Sequence, residues 1–286
     1  MKKEKKYNVN SRLINLIFRF IEWAKIDWNV FYERYAWYLA GKQMVNQHLL
    51  TSEIENRNFF IQCIPDRYSL NLRLYNKSSD FFSYADLKKW IEGNYLNNVS
   101  DIARFFFLNQ CMDQLIEEKI EGDVAELGVF RGNSASLLAK FAQKIDRTCY
   151  LFDTFEGFDA RDLNGQDQNV LKTGFSNTSL QGVKELVGEK NTSYVKGFFP
   201  ESLNQVAGLS QLALVHLDCD LEAPFKAALE YFYPRLQKGG FLIMHDYSSL
   251  CWPGATKAID RFFSDKPEFV IPIPDKSGTC VIRKVS

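Results

Sequence analysis

The sequence lacks the features that mark nucleic-acid-binding, secreted or membrane-spanning proteins. Its 35 lysines and arginines balance 35 aspartates and glutamates, so no basic excess attracts nucleic acid. No apolar run approaches the roughly 20 residues that a membrane span needs. Six cysteines occur without a CxxC pair, and no cleavable signal peptide is evident. We therefore expect reduced thiols, a cytoplasmic location and no nucleic-acid partner.

The first 98 residues are rich in aromatic side chains and predict a separate helical extension. Apolar residues recur at helical spacing between Ser11 and Gln47, after four lysines within positions 2–6. A basic amphipathic helix of this kind can lie on a membrane surface, which would give a peripheral contact at the inner face of the membrane. Glu22, Asp27 and Glu33 dilute the basic face and favour packing within the protein or against a second subunit. We therefore expect a homo-oligomer.

From residue 99 onward, strand-like and helix-like segments alternate. A helix over Ser100–Lys119 precedes five apolar strand segments: GDVAELGVF, RTCYLFDTF, TSYVKGFF, LALVHLDCD and GGFLIMHDY. Helical segments separate most of them, which predicts a parallel sheet covered on both faces. The last two strand segments, EFVIPIPD and GTCVIRKV, are joined by a short turn and predict an antiparallel hairpin. We expect an α/β fold over residues 99–286, with a doubly wound, seven-stranded, Rossmann-like sheet.

The motif ELGVFRG, residues 126–132, joins the first strand to the next helix. Gly128 permits a tight turn, and Gly132 allows the backbone to approach a ligand closely. A dinucleotide site would need GxGxxG, but Phe130 stands where the middle glycine would be. Glu126 ahead of two glycines instead resembles the first motif of S-adenosylmethionine-dependent methyltransferases, where an acidic group suits the cationic methionine end. The alternative is a turn whose glycines serve packing alone.

Asp153 closes the second strand, 27 residues after Glu126. An acidic side chain at this position of a Rossmann-like sheet can accept both ribose hydroxyls of a nucleoside. The spacing fits one strand–helix–strand unit, so the two acidic residues together predict a nucleoside-containing cofactor.

A further acidic group follows the fourth and fifth strands. Asp218 closes the fourth strand, and His245 and Asp246 close the fifth. Neighbouring strands of a doubly wound sheet present such side chains into one crevice, which predicts a divalent metal site of the Mg²⁺ or Mn²⁺ type. Such a metal would lower the pKa of a substrate hydroxyl. Alternatively, Asp220 caps the next helix and His245 bonds the backbone, while His216 within the fourth strand is expected to be structural.

Four segments resemble the macrocin O-methyltransferase family over about residues 121–286: VAELGVFRGNSA, LFDTFEGF, HLDCDLEAPFKAALEYFYPRLQKGGFLIMHDY and PGATKAIDRFF. The resemblance implies a metal-dependent enzyme that uses S-adenosylmethionine to methylate sugar hydroxyls. It implies cofactor contacts at Glu126, Gly128, Ser134, Asp153, Gly197 and Phe198, and metal ligands at Asp218, His245 and Asp246.

One position departs from the family pattern, which usually has two aspartates at the end of the fifth strand. The first of them is His245 here. Histidine ligates Mn²⁺, Zn²⁺ or Fe²⁺ better than Mg²⁺, so the metal remains open. If His245 is not a ligand, it is a candidate general base, as is Asp218.

The acceptor is expected to be a small molecule or glycan. A phenolic or polyketide acceptor is one alternative, and an inactive, methyltransferase-like scaffold subunit is another. The Gly- and Gln-rich segment Asn164–Phe175 is expected to form a loop that covers the acceptor.

Overall fold

The structure is a computed structural model that describes residues 84–93, 98, 101–206, 208–276 and 278–286. The amphipathic helix expected between Ser11 and Gln47 lies outside these residues, and so do the membrane and subunit contacts expected of it. Among the described residues, no helix combines the length and apolarity that crossing a bilayer requires.

In the described residues the strands and helices follow the predicted alternation. The strands are β1 (Asp123–Leu127), β2 (Cys149–Asp153), β3 (Thr192–Lys196), β4 (Leu212–Leu217), β5 (Leu236–Met244), β6 (Ile271–Pro272) and β7 (Cys280–Arg283). The helices are α1 (Tyr84–Gly93), α2 (Ile102–Glu117), α3 (Asn133–Lys144), α4 (Leu180–Val187), α5 (Glu222–Phe232) and α6 (Pro253–Phe263). Short 3-10 turns at Gly165–Asp167, Glu201–Gln205 and Tyr233–Arg235 complete the pattern.

The seven strands form one mixed sheet in the order β3-β2-β1-β4-β5-β7-β6. Strands β1 to β5 are parallel, and β7 pairs antiparallel with both β5 and β6. The predicted α/β fold and terminal hairpin are therefore confirmed. The hairpin strand β6 is much shorter than the predicted segment EFVIPIPD, because Pro272 and Pro274 have no N–H to donate to a ladder.

The core lies between the sheet and its covering helices. Every residue of β4 is buried, as a central parallel strand with helices on both faces requires. On α5, Phe225, Leu229 and Phe232 recur on one face and are fully buried. Burying each of these side chains contributes about 2 kcal/mol. Phe232 also contacts Phe152 of β2, with ring centroids 5.6 Å apart, so the helix is fixed against the sheet.

Helix α1 precedes the domain boundary predicted near residue 98, yet it packs against the sheet domain. The Trp90 ring lies 5.8 Å from that of Phe105 on α2. The Asp86 carboxylate forms an ion pair with Lys140 on α3. These contacts place α1 beside α2 and α3, while the division into residues 1–98 and 99–286 stays a prediction.

The five cysteines in the described part of the chain form no disulfide. Cys111, Cys149 and Cys280 are buried in the core. Burial raises the pKa of the Cys149 thiol well above its ordinary value, so that side chain is a small apolar core residue and not a reactive thiolate.

The strand order reverses direction at β1. Strand β1 lies between β2 and β4. After β1 the chain adds β2 and β3 on one side of β1, and it then crosses back to add β4 and β5 on the other side. A crevice opens outside the carboxyl ends of the strands at such a point, and ligands of open α/β sheets bind there.

Candidate functional site

A cavity of about 270 Å³ opens at this crevice. It brings together most of the residues that the sequence singles out. The predicted site residues that line it are Gly128, Ser134, Asp153, Gly197, Phe198, Asp218, His245 and Asp246. They lie at or just after the carboxyl ends of β1, β2, β3, β4 and β5, so the cavity spans the parallel part of the sheet.

Gly128 lies in the turn that follows β1 and has a φ of +88°. A Cβ at this position would lie 1.9 Å from the carbonyl oxygen of Asp218, so no larger residue fits without moving the end of β4. The turn continues the strand pairing, since the Gly128 N–H donates to the Phe152 carbonyl at 3.0 Å. A close backbone approach explains this glycine directly.

Asp153 anchors the same turn through its carboxylate. Oδ2 accepts the N–H groups of Val129 and Phe130 at 2.7 and 2.9 Å, and Oδ1 accepts that of Phe155 at 2.6 Å. Burial raises the pKa of Asp153, and these three hydrogen bonds oppose the rise. Asp153 thus uses most of its acceptor capacity on the backbone while still lining the cavity.

Two predicted cofactor residues do not line the cavity. Glu126 is fully buried, and its Oε1 lies 2.8 Å from Nδ1 of His216, its neighbour across β1 and β4. His216 therefore has the structural position expected of it. A Cβ at Gly132 would contact Val183 and Val187 of α4 at 3.1 Å, so this glycine allows α3 and α4 to pack closely.

Asp218, His245 and Asp246 converge at the carboxyl ends of β4 and β5. One ligand atom from each lies within 4.8 Å of the others. Nδ1 of His245 is 2.8 Å from Oδ1 of Asp218 and 2.9 Å from Oδ2 of Asp246, while its Nε2 is buried without a hydrogen-bond partner. His245 therefore bonds two carboxylates, and the alternative that it bonds the backbone is wrong.

Arg104 of α2 is a member of this site that the sequence did not reveal. Its Nη1 donates to Oδ2 of Asp218 at 3.0 Å, its Nε lies 3.6 Å from Asp101, and its guanidinium stands 5.2 Å from the Trp90 ring centroid. Asp218 and Arg104 are 114 residues apart. No local pattern signals a contact of that range, although a single arginine in the apolar run IARFFFL is unusual.

The charges of the site act on one another. Burial alone would raise the pKa of Asp218, but His245 and Arg104 outweigh it and hold that pKa well below its ordinary value. Burial likewise opposes charge on His245, but the Asp218 and Asp246 carboxylates prevail and raise its pKa to about 10. In this arrangement Asp218 is ionised and His245 is an imidazolium that donates to its neighbours.

Asp167, and not Asp220, accepts a backbone N–H at the start of α5. Burial and the nearby Asp246 and Asp218 carboxylates raise the pKa of Asp220 well above its ordinary value, and its side chain bonds Asp246. The alternative that Asp220 caps α5 is wrong. Asp167, in the loop expected to cover the acceptor, accepts the N–H of Glu222 at 2.8 Å and ties that loop to the first turn of α5.

Comparisons with known proteins identify one family for the sheet domain. Residues 99–282 match the sequence model of the macrocin-O-methyltransferase (TylF) family. Mycinamicin III 3''-O-methyltransferase of Micromonospora griseorubida is 27% identical over 170 residues, which are 54% of this chain and 65% of that protein. The 8-demethyl-8-(2,3-dimethoxy-alpha-L-rhamnosyl)-tetracenomycin-C 4'-O-methyltransferase of Streptomyces olivaceus is 29% identical over 160 residues, 51% of this chain and 61% of that protein.

The chain spans less than two thirds of the length of these two relatives. Among solved structures, the O-methyltransferase NovP superposes with a TM-score of 0.59 at 22% identity, covering 70% of this chain and 88% of that one. This likeness supports the fold. Because the family match extends over 184 of the 286 residues, from 99 to 282, the chain belongs to the macrocin O-methyltransferase family.

Proposed function

We propose that the chain is an S-adenosylmethionine-dependent O-methyltransferase that methylates a hydroxyl of a sugar-type acceptor with the help of a divalent metal. The observation that carries this proposal is one cavity at the sheet's reversal point that contains both the Gly128 turn and the cluster of Asp218, His245 and Asp246. A cofactor site and a metal-type donor set in one cavity suit the methylation of an oxygen atom.

The residues at the cavity fit the cofactor. Gly128 leaves no space for a side chain, which allows a ligand to approach the backbone of the turn. Ser134 lies in the first turn of α3. Asp153 ends β2, and Gly197 and Phe198 follow β3, where the nucleoside end of the cofactor would be held. When bound, S-adenosylmethionine supplies an electrophilic methyl group on a sulfonium sulfur.

The cluster of Asp218, His245 and Asp246 fits a divalent metal. It offers two carboxylates and an imidazole whose Nε2 is buried without a partner. This donor set suits Mn²⁺ and also accepts Mg²⁺. When bound, the metal lowers the pKa of the acceptor hydroxyl. Arg104 holds Asp218 in place, and Asp218 and His245 are the two candidate acceptors of the hydroxyl proton.

The acceptor class rests on the relatives. One of these relatives is named for a substrate that carries a rhamnosyl group, which it methylates at a 4'-oxygen. The acidic cluster supports an active enzyme over an inactive scaffold, because burying the Asp220 and Asp246 carboxyl groups beside Asp218 is costly without a function.

Transfer of label from methyl-tritiated S-adenosylmethionine tests the proposal. The protein is incubated with a panel of glycosides and free phenols, with Mn²⁺, Mg²⁺ or a chelator. We expect metal-dependent labelling of a glycoside that falls at least a hundredfold in Asp218→Asn, while that variant still binds S-adenosylhomocysteine. Labelling of phenols alone would favour the phenolic alternative. No labelling together with no cofactor binding would favour the scaffold.

We also propose a cytoplasmic homo-oligomer whose subunit contacts involve residues 1–98. The aromatic-rich sequence of this region supports the proposal. Light scattering of the full chain, compared with a truncation that begins at residue 84, measures the assembly. Equal mass per particle in both, after allowing for the deleted residues, would contradict it.

A further inference from the structure

Part of the cavity wall is formed by the start of α2 and the turn of the terminal hairpin. Asp101, Arg104 and Lys276 all line the cavity there. The Asp101 Oδ1 atom accepts the N–H of Lys276 at 3.2 Å, which ties the start of α2 to the turn between β6 and β7. We call Asp101 and Arg104 the charged pair.

The charged pair lies on the side of the sheet away from the predicted cofactor residues. Arg104 contacts Asp218 at the end of β4, and Lys276 lies between β6 and β7. The predicted cofactor residues that line the cavity lie after β1, β2 and β3, on the other side of β4 in the order of the sheet. A ligand group beside the charged pair would therefore belong to the acceptor and not to the cofactor.

The charged pair leaves much of its hydrogen-bonding capacity unused. Arg104 is only 8% exposed and Asp101 only 4%. Among the described residues, the guanidinium of Arg104 makes one hydrogen bond, to Asp218, although it carries five N–H groups. Its Nε is buried without a partner, since Oδ2 of Asp101 lies 3.6 Å away. Unpaired donors on a buried guanidinium are costly, which indicates that a ligand in the cavity completes them.

The loop between β2 and α4 gives the cavity a different kind of wall. Phe158 and Phe175 of this loop contact Trp252, with ring centroids 5.7 and 6.2 Å apart. All three side chains line the cavity. These rings offer apolar surface, whereas the charged pair offers N–H donors together with a carboxylate acceptor. Selective hydrogen bonding to the acceptor is therefore expected at the charged pair.

A hydroxyl group satisfies both members of the charged pair. Its oxygen can accept an N–H of Arg104 while its hydrogen is donated to Asp101. A carbonyl or ether oxygen can only accept, so it would leave the Asp101 carboxylate without a donor. An anionic group is disfavoured, because the carboxylates of Asp101 and Asp218 already lie beside the guanidinium.

We propose that the charged pair binds a second hydroxyl group of the acceptor, close to the hydroxyl that is methylated. This inference rests on the proposed function. Arg104 contacts Asp218 through Nη1 and faces Asp101 through Nε, so one guanidinium separates the second hydroxyl from the reacting one. Asp101 and Arg104 thereby select acceptors with two neighbouring hydroxyl groups over acceptors with a single hydroxyl.

Calorimetry on the full-length protein, saturated with S-adenosylhomocysteine and Mn²⁺, tests the inference. The probes are methyl α-L-rhamnopyranoside and methyl β-D-glucopyranoside, each with its monodeoxy analogues, in which hydrogen replaces one hydroxyl group. For at least one parent glycoside, we expect two analogues to bind about tenfold or more weakly than the parent. One of them lacks the hydroxyl at the cluster of Asp218, His245 and Asp246, and the other lacks the hydroxyl at the charged pair.

Asp101→Ala distinguishes the two hydroxyl groups. Without this carboxylate, the loss of affinity for the analogue that lacks the second hydroxyl should fall below about threefold, because the parent glycoside has lost the same hydrogen bond. The loss for the other analogue should persist. Asp101→Asn keeps an acceptor for the Lys276 N–H but removes the charge, so it should give an intermediate loss. It also serves as the test should Asp101→Ala fail to fold.

Asp123→Ala is the matched control. Asp123 also accepts one backbone N–H, that of Thr148 at 2.9 Å, but it begins β1 at the end of the strand opposite the cavity. Both losses of affinity should therefore be the same in this variant as in the wild type.

The inference is overturned if Asp101→Ala discriminates among the analogues as the wild type does. It is also overturned if the wild-type protein binds no parent glycoside, or binds every analogue as tightly as its parent. A loss of more than about tenfold in the affinity of Asp101→Ala for S-adenosylhomocysteine or Mn²⁺ overturns it too, because the variant would then act through the cofactor or the metal. Failure of the wild-type protein to bind S-adenosylhomocysteine would instead mean that the proposed function is wrong.

Discussion

Arg104 and Asp218 join the first long helix of the sheet domain to the carboxyl end of its central strand through a 3.0 Å contact between Nη1 and Oδ2. The pair fixes one carboxylate oxygen, while the other faces His245. A cation beside an acidic cluster lowers the cost of keeping Asp218 ionised.

Arg104→Gln should destabilise the protein. Removing one partner leaves the other charge uncompensated, which costs 3–5 kcal/mol in a fully buried pair. Because a fifth of the Asp218 side chain is exposed, we expect a loss of about 2 kcal/mol in the free energy of unfolding. Urea denaturation measures it. Arg104→Lys, which keeps the charge, should lose less than half as much, and equal losses in both variants would contradict an electrostatic role.

Metal binding should tighten as the pH rises. The pKa of His245 is raised to about 10 in the folded protein, so a metal must displace a proton at neutral pH. Calorimetry should show the apparent Mn²⁺ affinity increasing by up to about tenfold per pH unit from pH 7 to 9, with proton release. His245→Asp should remove this dependence and shift the preference toward Mg²⁺. A flat pH profile in the wild type would exclude His245 as a ligand.

The raised pKa of His245 also makes the stability of the metal-free protein depend on pH. A histidine whose folded pKa is raised contributes stability that is full below its unfolded pKa of about 6.5 and is lost as the pH rises through about 10. Metal-free wild-type protein should therefore lose free energy of unfolding between pH 7 and 10 relative to His245→Asn. Parallel curves for the two proteins would contradict this.

Gly128→Ala should disrupt the cavity. The added Cβ would lie 1.9 Å from the Asp218 carbonyl oxygen, so β1 and β4 must separate. We expect a loss of about 3 kcal/mol or more in the free energy of unfolding and no binding of S-adenosylhomocysteine. Gly188→Ala is the control: it has a similar φ of +86° but open space around it, so it adds about 1–3 kcal/mol of backbone strain without a clash and should leave S-adenosylhomocysteine binding intact. Similar losses in the two variants would rule out the steric explanation.

Asp167→Ala should free the loop that carries Phe158 and Phe175. It removes the acceptor for the Glu222 N–H, which costs about 1 kcal/mol as a helix cap. Hydrogen exchange should become faster at Glu222 and in the loop, with little change in the sheet. Gln168→Ala changes an exposed neighbour and should have no effect. Unchanged protection in Asp167→Ala would show that the aromatic contacts alone hold the loop.

The sequence was most informative where local patterns determine structure. Alternating apolar strands and helices predicted the sheet and its terminal hairpin, because strand periodicity and turn residues are local signals. The convergence of Asp218 with His245 and Asp246 followed from one further rule, that parallel strands of a doubly wound sheet end at the same edge. Gly128 was recognisable because a turn between a strand and a helix requires it.

Contacts between residues far apart in the chain could not be predicted from the sequence. The Arg104–Asp218 pair and the Asp167–Glu222 cap join residues 114 and 55 positions apart, and neither has a local signature. Glu126 shows the same limit: its motif position suggested the cofactor, but the register of β1 on β4 places it opposite His216 in the core. The packing of the folded chain, and not the spacing of residues along the sequence, determines which side chains form these pairs.

The central claim is that this cavity binds S-adenosylmethionine, and titration of the full-length chain with S-adenosylhomocysteine by calorimetry tests it most directly. The account predicts one site per chain with a dissociation constant near 1 μM, or about −8 kcal/mol. Binding should survive in Asp218→Asn, which alters the acidic cluster and not the Gly128 turn. A folded wild-type protein that shows no S-adenosylhomocysteine binding, either as heat released in calorimetry or as a shift in melting temperature, would contradict the account.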